Sequence, residues 1–230
     1  MPMRSSYWAG IAAVGVAVGL SACSSSPTAN GLSSKSARQI LSQALSAMKS
    51  AKSVTLSGSV TSNGSRVGLN LGLTASGAIS GSIEEFSQKL QVVILSSKDY
   101  VKAPAAFWQR SAHLSAAQAD RIAPHWIVAP SAVTSSFSSL SLPALTQSLS
   151  TDNGTLSKGG AKTIDGHPTV GVNSSKGGTL WVSSSGTPYP VALTGALGSS
   201  SADVSFSKWN STATPVAPKN ATSASSVAGA

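Results

Sequence analysis

Apolar residues first recur at helical spacing just after residue 35. They occupy positions i, i+1, i+4, i+5 and i+8 of one stripe, which is the pattern of an amphipathic helix. The stripe consists of Ile40, Leu41, Ala44, Leu45 and Met48. Ser34 or Ser36 can cap the N-terminus of this helix. The pattern therefore predicts one long helix at the start of a folded region.

The period changes to two after Lys52, where apolar residues alternate with Ser, Thr and Gly. Two such runs flank Asn63-Gly64, a dipeptide that two-residue hairpin turns favour. We predict a pair of strands around this turn. Further strands follow over 77–86, 88–96 and 98–103.

The region 104–150 has a different character, because four prolines interrupt short apolar stretches that lack strand alternation. Short helices and loops fit this pattern best. Alternation resumes afterwards, and it predicts strands over 154–158, 161–165, 167–174, 178–184, 188–195 and 201–208.

These elements predict an α+β fold. We expect a curved antiparallel sheet of about nine to eleven strands, a half-barrel, with the N-terminal helix and a helical insertion packed on its concave side. Many strands in one curved sheet can enclose an apolar space beneath such helices.

The N-terminal residues have the features of an export signal. Arg4 is the only charge before an apolar run of about a dozen residues, which is shorter than the roughly 20 residues needed to span hydrocarbon. Leu20-Ser21-Ala22-Cys23 follows this run, contains the chain's only cysteine, and resembles the lipobox of bacterial lipoproteins. That resemblance implies cleavage before Cys23 and lipidation of its thiol, so we expect an exported protein anchored to the outer face of the cell membrane. An ordinary secretory signal is the alternative.

Composition divides the rest of the chain. Small polar residues dominate 23–34 and 211–230, and such segments cannot bury enough apolar surface to fold on their own. We therefore predict a signal peptide at 1–22, a lipidated flexible tether at 23–34, one domain at 35–210 and a disordered tail at 211–230.

The distribution of charges and histidines argues against nucleic-acid binding and metal binding. The formal net charge is +9, but the lysines are scattered with no basic run, so we predict no nucleic-acid partner. The surplus suits anionic lipid headgroups. The three histidines lie far apart in sequence without the spacing of metal ligands, so we predict no metal site and no cofactor.

We find no G-x-S-x-G, H-E-x-x-H, P-loop or dinucleotide-binding motif, and we predict no enzymatic activity. Ser46-Ala47-Met48-Lys49 matches the S-x-x-K pair of penicillin-recognising enzymes. A chance match is expected in a serine-rich chain, and an exposed helix face explains these residues equally well.

Several segments resemble a known family, actinobacterial lipoproteins of the LppX/LprG type, and more distantly the LolA/LolB carriers. The likeness covers most of 36–208 in the order that such proteins present it. The segments that carry it are 38–58, 98–102, 106–109, 125–128 and 186–193. The resemblance implies a half-barrel whose apolar cavity shelters the acyl chains of lipids or glycolipids in transit across the envelope. It also implies an envelope transporter as a partner and a monomeric carrier.

Strand alternation supplies candidate cavity residues, with three aromatic residues of the helical region near the mouth. The candidates are Val54, Leu56, Val60, Leu69, Leu71, Val93, Leu95, Phe107, Trp108, Trp126, Leu180, Val182, Val191 and Leu193. Alternation does not say which sheet face is inward. The alternative is a solid core without a cavity, in a non-catalytic surface lipoprotein that binds another envelope protein or a wall polymer.

Overall fold

A computed structural model of the chain describes residues 28–129, 140–151, 154–197 and 200–228. The predicted signal peptide at 1–22 and the predicted lipidation site, Cys23, lie outside the described residues.

One sheet of twelve strands forms the body of the described structure. The strands are β1 (Ser53–Ser62), β2 (Ser65–Thr74), β3 (Ile79–Glu85), β4 (Gln88–Ile94), β5 (Asp99–Lys102), β6 (Ile127–Val128), β7 (Leu156–Ile164), β8 (His167–Ser174), β9 (Thr179–Ser183), β10 (Pro190–Leu197), β11 (Ser200–Ser207) and β12 (Thr222–Ser223). Their order across the sheet is β12-β6-β5-β4-β3-β2-β1-β11-β10-β9-β8-β7, and the sheet does not close into a barrel. All neighbours are antiparallel except β12 and β6.

Five helices accompany this sheet in the described part of the chain. They are α1 (Ala37–Ser50), α2 (Ala105–Ala112), α3 (Ala116–Ile122), α4 (Leu142–Ser150) and α5 (Ala224–Ala228). A capping box fixes the start of α1, because the side chains of Ser36 and Gln39 each accept a hydrogen bond from the other residue's backbone N–H. Ser115 and Gln118 start α3 in the same way.

The register gathers the apolar residues of the sheet on one face. Leu56 pairs with Leu71 on β2 and with Phe206 on β11, and paired residues project to the same side. Ile40, Ala44 and Met48 of α1 join these side chains in one buried core. The core therefore lies between the helices and a single face of the sheet.

Glycines allow two central strands to bend. Gly58 in β1 has φ 132° and Gly81 in β3 has φ 144°, values that residues with a side chain rarely adopt. A Cβ on Gly81 would overlap the carbonyl oxygen of Asn70 on the neighbouring strand. Such positions admit glycine alone, and they suit a sheet that must curve.

The predicted fold class is confirmed: α+β, with a curved antiparallel-rich sheet, an N-terminal helix and helices from the middle of the chain. The sheet has twelve strands, whereas about nine to eleven were predicted. The prediction missed β6 and β12, because two residues each are too few to show alternation. The two strands predicted over 154–158 and 161–165 are one strand, β7, whose register shifts between Lys158 and Ala161.

The segment before α1 differs from the predicted flexible tether at 23–34. Ala29 forms a β-bridge with Ser185, and the Asn30 side chain donates hydrogen bonds of 3.0 Å to the carbonyls of Ser183 and Gly186. Leu32 is fully buried in the core. Residues 28–34 are therefore part of the folded body, held by one buried leucine and one asparagine.

The tail predicted as disordered at 211–230 is also folded over 211–228. After β11 the chain crosses the sheet face opposite α1, where the backbone N–H of Asn210 donates to the Ser53 carbonyl at 2.8 Å. The N–H of Thr212 donates to the Ser53 hydroxyl at 3.1 Å. Further on, β12 pairs with β6, and Ala224 and Val227 of α5 pack against the core. This segment was predicted to be disordered because it lacks large apolar residues. Hydrogen bonds to β1 and the packing of Ala224 and Val227 hold it instead.

We expect Gly81→Ala to lower the free energy of unfolding by about 2 kcal/mol or more, since the added Cβ combines backbone strain with a clash against β2. Gly68→Ala on β2 is the matched control, because a Cβ there would make ordinary contacts with Glu84, at 3.4 Å from its Cβ and 3.7 Å from its carbonyl oxygen. Urea denaturation followed by tryptophan fluorescence measures both changes. Equal effects of the two substitutions would contradict this account of Gly81.

Candidate functional site

A pocket of about 660 Å³ lies between the helices and the half of the sheet formed by β7 to β10. We call it the leucine pocket. Its lining residues are Leu41, Leu145, Ser148, Leu149, Thr151, Leu156, Val172, Ser174, Lys176, Gly177, Gly178, Leu180 and Leu193. The volume is within the range of small-molecule sites, which is about 300 to 1,000 Å³.

The sheet wall of this pocket is a row of branched aliphatic side chains on adjacent strands. Leu193 on β10 pairs with Leu180 on β9, and Leu180 pairs with Val172 on β8. Leu156 extends the row onto β7, the edge strand. Because paired residues project to one side, four consecutive strands present an apolar surface toward the helices.

The helix wall comes from α1 and α4, which contact each other. The hydroxyl of Ser141 caps α4 by accepting the N–H of Ala144 at 3.3 Å, and Pro143 occupies its first turn. From this start, Leu145 and Leu149 project from one side of α4 toward the pocket, while Leu41 projects from α1.

The hairpin between β8 and β9 lies at one end of the pocket. Gly177 and Gly178 have φ values of 103° and 78°, and the N–H of Gly177 donates to the Ser174 carbonyl at 3.0 Å. Gly177 and Gly178 add no side chain at this end of the pocket, where Ser174 and Lys176 of the same hairpin also line it. The space therefore reaches the tip of the strands instead of being filled there.

Most of the hydroxyls in the lining already have partners. The Ser148 hydroxyl donates to the Leu145 carbonyl at 2.9 Å, and that of Thr151 donates to the Gln147 carbonyl at 3.3 Å. These groups make their hydrogen bonds to the turn of helix that precedes them. The pocket consequently presents mainly methyl and methylene groups to whatever occupies it.

The structure divides the predicted cavity residues by position. Leu180 and Leu193 line the leucine pocket. Six others lie on the same sheet face, within the core or packed against it: Val54, Leu56, Val60, Leu69, Leu71 and Val182.

The remaining predicted residues lie elsewhere. Val93 pairs with Ser80 and Tyr100 on the opposite sheet face, where it borders a separate polar pocket together with Trp126. Val191 is buried at the register shift in β10, outside the main core, and Leu95 lies in the turn after β4.

Trp108 was expected near the mouth of the cavity, but it is 2% exposed and its indole N–H donates to the Ala103 carbonyl. Phe107 packs against its ring edge to face, at 5.2 Å between centroids.

The prediction missed the other five leucine and valine residues of the pocket: Leu41, Leu145, Leu149, Leu156 and Val172. The helical spacing of Leu142, Leu145 and Leu149 after a Ser-Leu-Pro start was the available signal for α4. The prediction of short helices and loops over 104–150 did not give this helix its bounds.

Two further observations concern the described part of the chain. No group of three or more His, Cys, Asp or Glu side chains there is close enough to hold a metal ion. None of its helices is both long enough and apolar enough to cross a bilayer.

The fold is similar to those of two solved mycobacterial proteins. The lipoprotein LppX of Mycobacterium tuberculosis aligns with a TM-score of 0.51 and 20% identity, over 78% of this chain and 99% of LppX. LprF of Mycobacterium bovis aligns with a TM-score of 0.53 and 15% identity, over 81% of this chain and 97% of LprF. No protein-family model matches the chain, and a search of curated proteins gives no match. The predicted resemblance to LppX-type lipoproteins is thus confirmed at the level of the fold.

Proposed function

We propose that this protein is a membrane-anchored envelope lipoprotein that binds an acyl chain of a lipid or glycolipid in the leucine pocket and carries it across the envelope. The observation that supports the proposal is the pocket itself, an apolar space left between a covering helix layer and the sheet. The structural similarity to LppX, a lipoprotein, is consistent with a place in the envelope.

Burial of hydrocarbon provides the driving force. Each methylene group removed from water contributes about 0.8 kcal/mol, so a long acyl chain needs no specific polar contact to bind. Leucine and valine side chains with self-satisfied hydroxyls between them suit such a ligand. Lys176 is the one charged side chain among the described lining residues, so a polar or charged ligand of the same size would lose most of its hydrogen bonds to water without replacement.

The volume sets the number of chains. A methylene group is about the size of a water molecule, whose share of liquid volume is about 30 Å³. The 660 Å³ of the pocket therefore admits on the order of twenty such groups. One long acyl chain fits this space, and a second long chain would have to lie outside it.

The proposed anchor is Cys23. Thr28 is the first described residue, and Ala29 and Asn30 are held by the loop that follows β9. Five residues extended at about 3.6 Å each span at most about 18 Å. A lipid on Cys23 would therefore hold the folded domain close to the membrane surface, on a shorter tether than the sequence suggested.

We expect Leu193→Trp to abolish acyl-chain binding, because the larger ring fills the space beside Leu180 and Val172. The full-length chain, after removal of co-purified lipid from its pocket, is titrated with a fluorescent fatty acid. A second sample, from which no lipid has been removed, is examined by native mass spectrometry with lipid extraction. Unsubstituted protein is expected to bind at one to one. Val216→Trp, at a position 75% exposed, is the control for adding a tryptophan.

If the unsubstituted chain shows a clean unliganded mass and takes up no fatty acid, the carrier proposal is wrong. The remaining function is then an anchored domain that binds another envelope protein or a wall polymer. Equal fatty-acid binding by the Leu193→Trp and Val216→Trp variants would show that the acyl chain binds outside the leucine pocket.

We expect Cys23→Ala to transfer the protein from the membrane fraction to the soluble fraction of a bacterial host, because the thiol that accepts the lipid is gone. Intact mass spectrometry of the membrane-bound form should show cleavage before Cys23 and the added mass of acyl groups. Retention of the Cys23→Ala variant in the membrane fraction would contradict the proposed anchor.

A further inference from the structure

A second depression runs along the exposed side of α1. Six residues of α1 line it. Leu41 borders the leucine pocket as well, and the other five, at positions i, i+4, i+7, i+8 and i+11, share one helix face. They are Arg38, Ser42, Leu45, Ser46 and Lys49. The facing wall consists of Ser150, Gly154 and Leu156, and the volume is about 480 Å³. We call this depression the α1 groove.

The α1 groove adjoins the leucine pocket. Leu41 and Leu156 line both spaces, so these two side chains alone belong to the inner apolar wall and to the outer polar one. A ligand that passes between them would have one end among leucines and the other among serines and cations. That division matches the two ends of an amphipathic lipid.

The described residues that line the α1 groove carry positive charge and no negative charge. Among the described residues, Arg38 and Lys49 make no ion pair, and no acidic side chain lines the groove. The acidic residue closest in sequence to the facing wall, Asp152, lies outside the described residues. Eleven helical residues separate the two cations, which places them about 16 Å apart along α1.

Hydroxyl groups occupy the space between the two cations. The hydroxyls of Ser42 and Ser46 are exposed and form no hydrogen bond with other described residues. They are free to bond a ligand that offers oxygen atoms.

We propose that the α1 groove binds the headgroup of the lipid whose acyl chain occupies the leucine pocket, and that this headgroup is anionic. The inference rests on the proposed function and adds the ligand class: an anionic phospholipid is bound in preference to a zwitterionic one of equal chain length. A phosphate at one end of the groove contacts Arg38 or Lys49, and the neighbouring serines bond its oxygens.

The test compares phosphatidylglycerol and phosphatidylcholine that carry the same fluorescent acyl chain, titrated into the delipidated full-length chain at low salt. The unsubstituted protein binds phosphatidylglycerol more tightly. Arg38→Gln and Lys49→Gln each weaken phosphatidylglycerol binding about fivefold. The double variant weakens it by up to about 25-fold, because at low salt the cation that does not touch the phosphate still attracts it through space. Binding of phosphatidylcholine, whose choline cation offsets the charge of its phosphate, weakens much less, which also shows that the variants are folded.

Matched controls remove the same charge elsewhere. Lys98→Gln in the β4–β5 turn and Arg121→Gln on α3 are exposed positions outside the groove, and they leave both affinities unchanged. Salt at 1 M shortens the screening length to about 3 Å and removes the preference. Inorganic phosphate added at constant ionic strength does not displace the lipid.

Three outcomes overturn the inference. They are equal binding of the two lipids by the unsubstituted chain, equal losses in the groove and control variants, and displacement by inorganic phosphate, which would make the groove a free-phosphate site. In each of these cases fluorescent phosphatidylcholine still binds, so the acyl-chain proposal stands. Failure of both lipids to bind refutes that proposal as well.

Discussion

One constraint organises this structure: the apolar face of an open sheet must be removed from water. Twelve strands at about 4.8 Å spacing extend about 53 Å across, whereas the 14 residues of α1 extend about 21 Å. A single helix therefore cannot cover the face. The helices from the middle of the chain have to cover what α1 leaves exposed, and apolar burial at about 25 cal/mol per Å² is what holds them there.

The two halves of the sheet are covered with different side chains, which explains where space remains. On the side of β4 to β6, Trp108, Ile122 and Ile127 are buried at 2% exposure or less, and their bulk fills the interface. On the side of β7 to β10 the covering residues are leucines of α1 and α4, and Gly177 and Gly178 add no side chain at the end of the strands. Among the described residues no aromatic side chain lines this side, and the leucine pocket is the space that is left.

The sequence predicted the fold well because period-two alternation and one helical stripe are local signals. It failed where the cause is tertiary. Val93 and Leu71 both look like apolar strand residues, yet pairing with Ser80 and Tyr100 turns Val93 to the opposite face. The tail after β11 carries few large apolar residues, and it is ordered by hydrogen bonds to Ser53 that no local pattern reveals. Trp108 was placed at a mouth by its aromatic character alone, although its buried N–H has a carbonyl partner.

The contacts of residues 28–30 also indicate which end of the leucine pocket lies nearer the proposed membrane anchor. Asn30 binds the carbonyls of Ser183 and Gly186, which follow the C-terminal end of β9, while Gly177 and Gly178 lie beyond its N-terminal end. Five strand residues separate these ends by about 17 Å. With a lipid on Cys23 and at most about 18 Å of chain before Thr28, the loop after β9 is the end held near the anchoring membrane. The glycine end of the pocket is then the end farther from the proposed anchor. A carrier arranged in this way suits delivery to an acceptor beyond its own bilayer, whereas loading from the anchoring bilayer requires the domain to tip or a membrane protein to present the lipid.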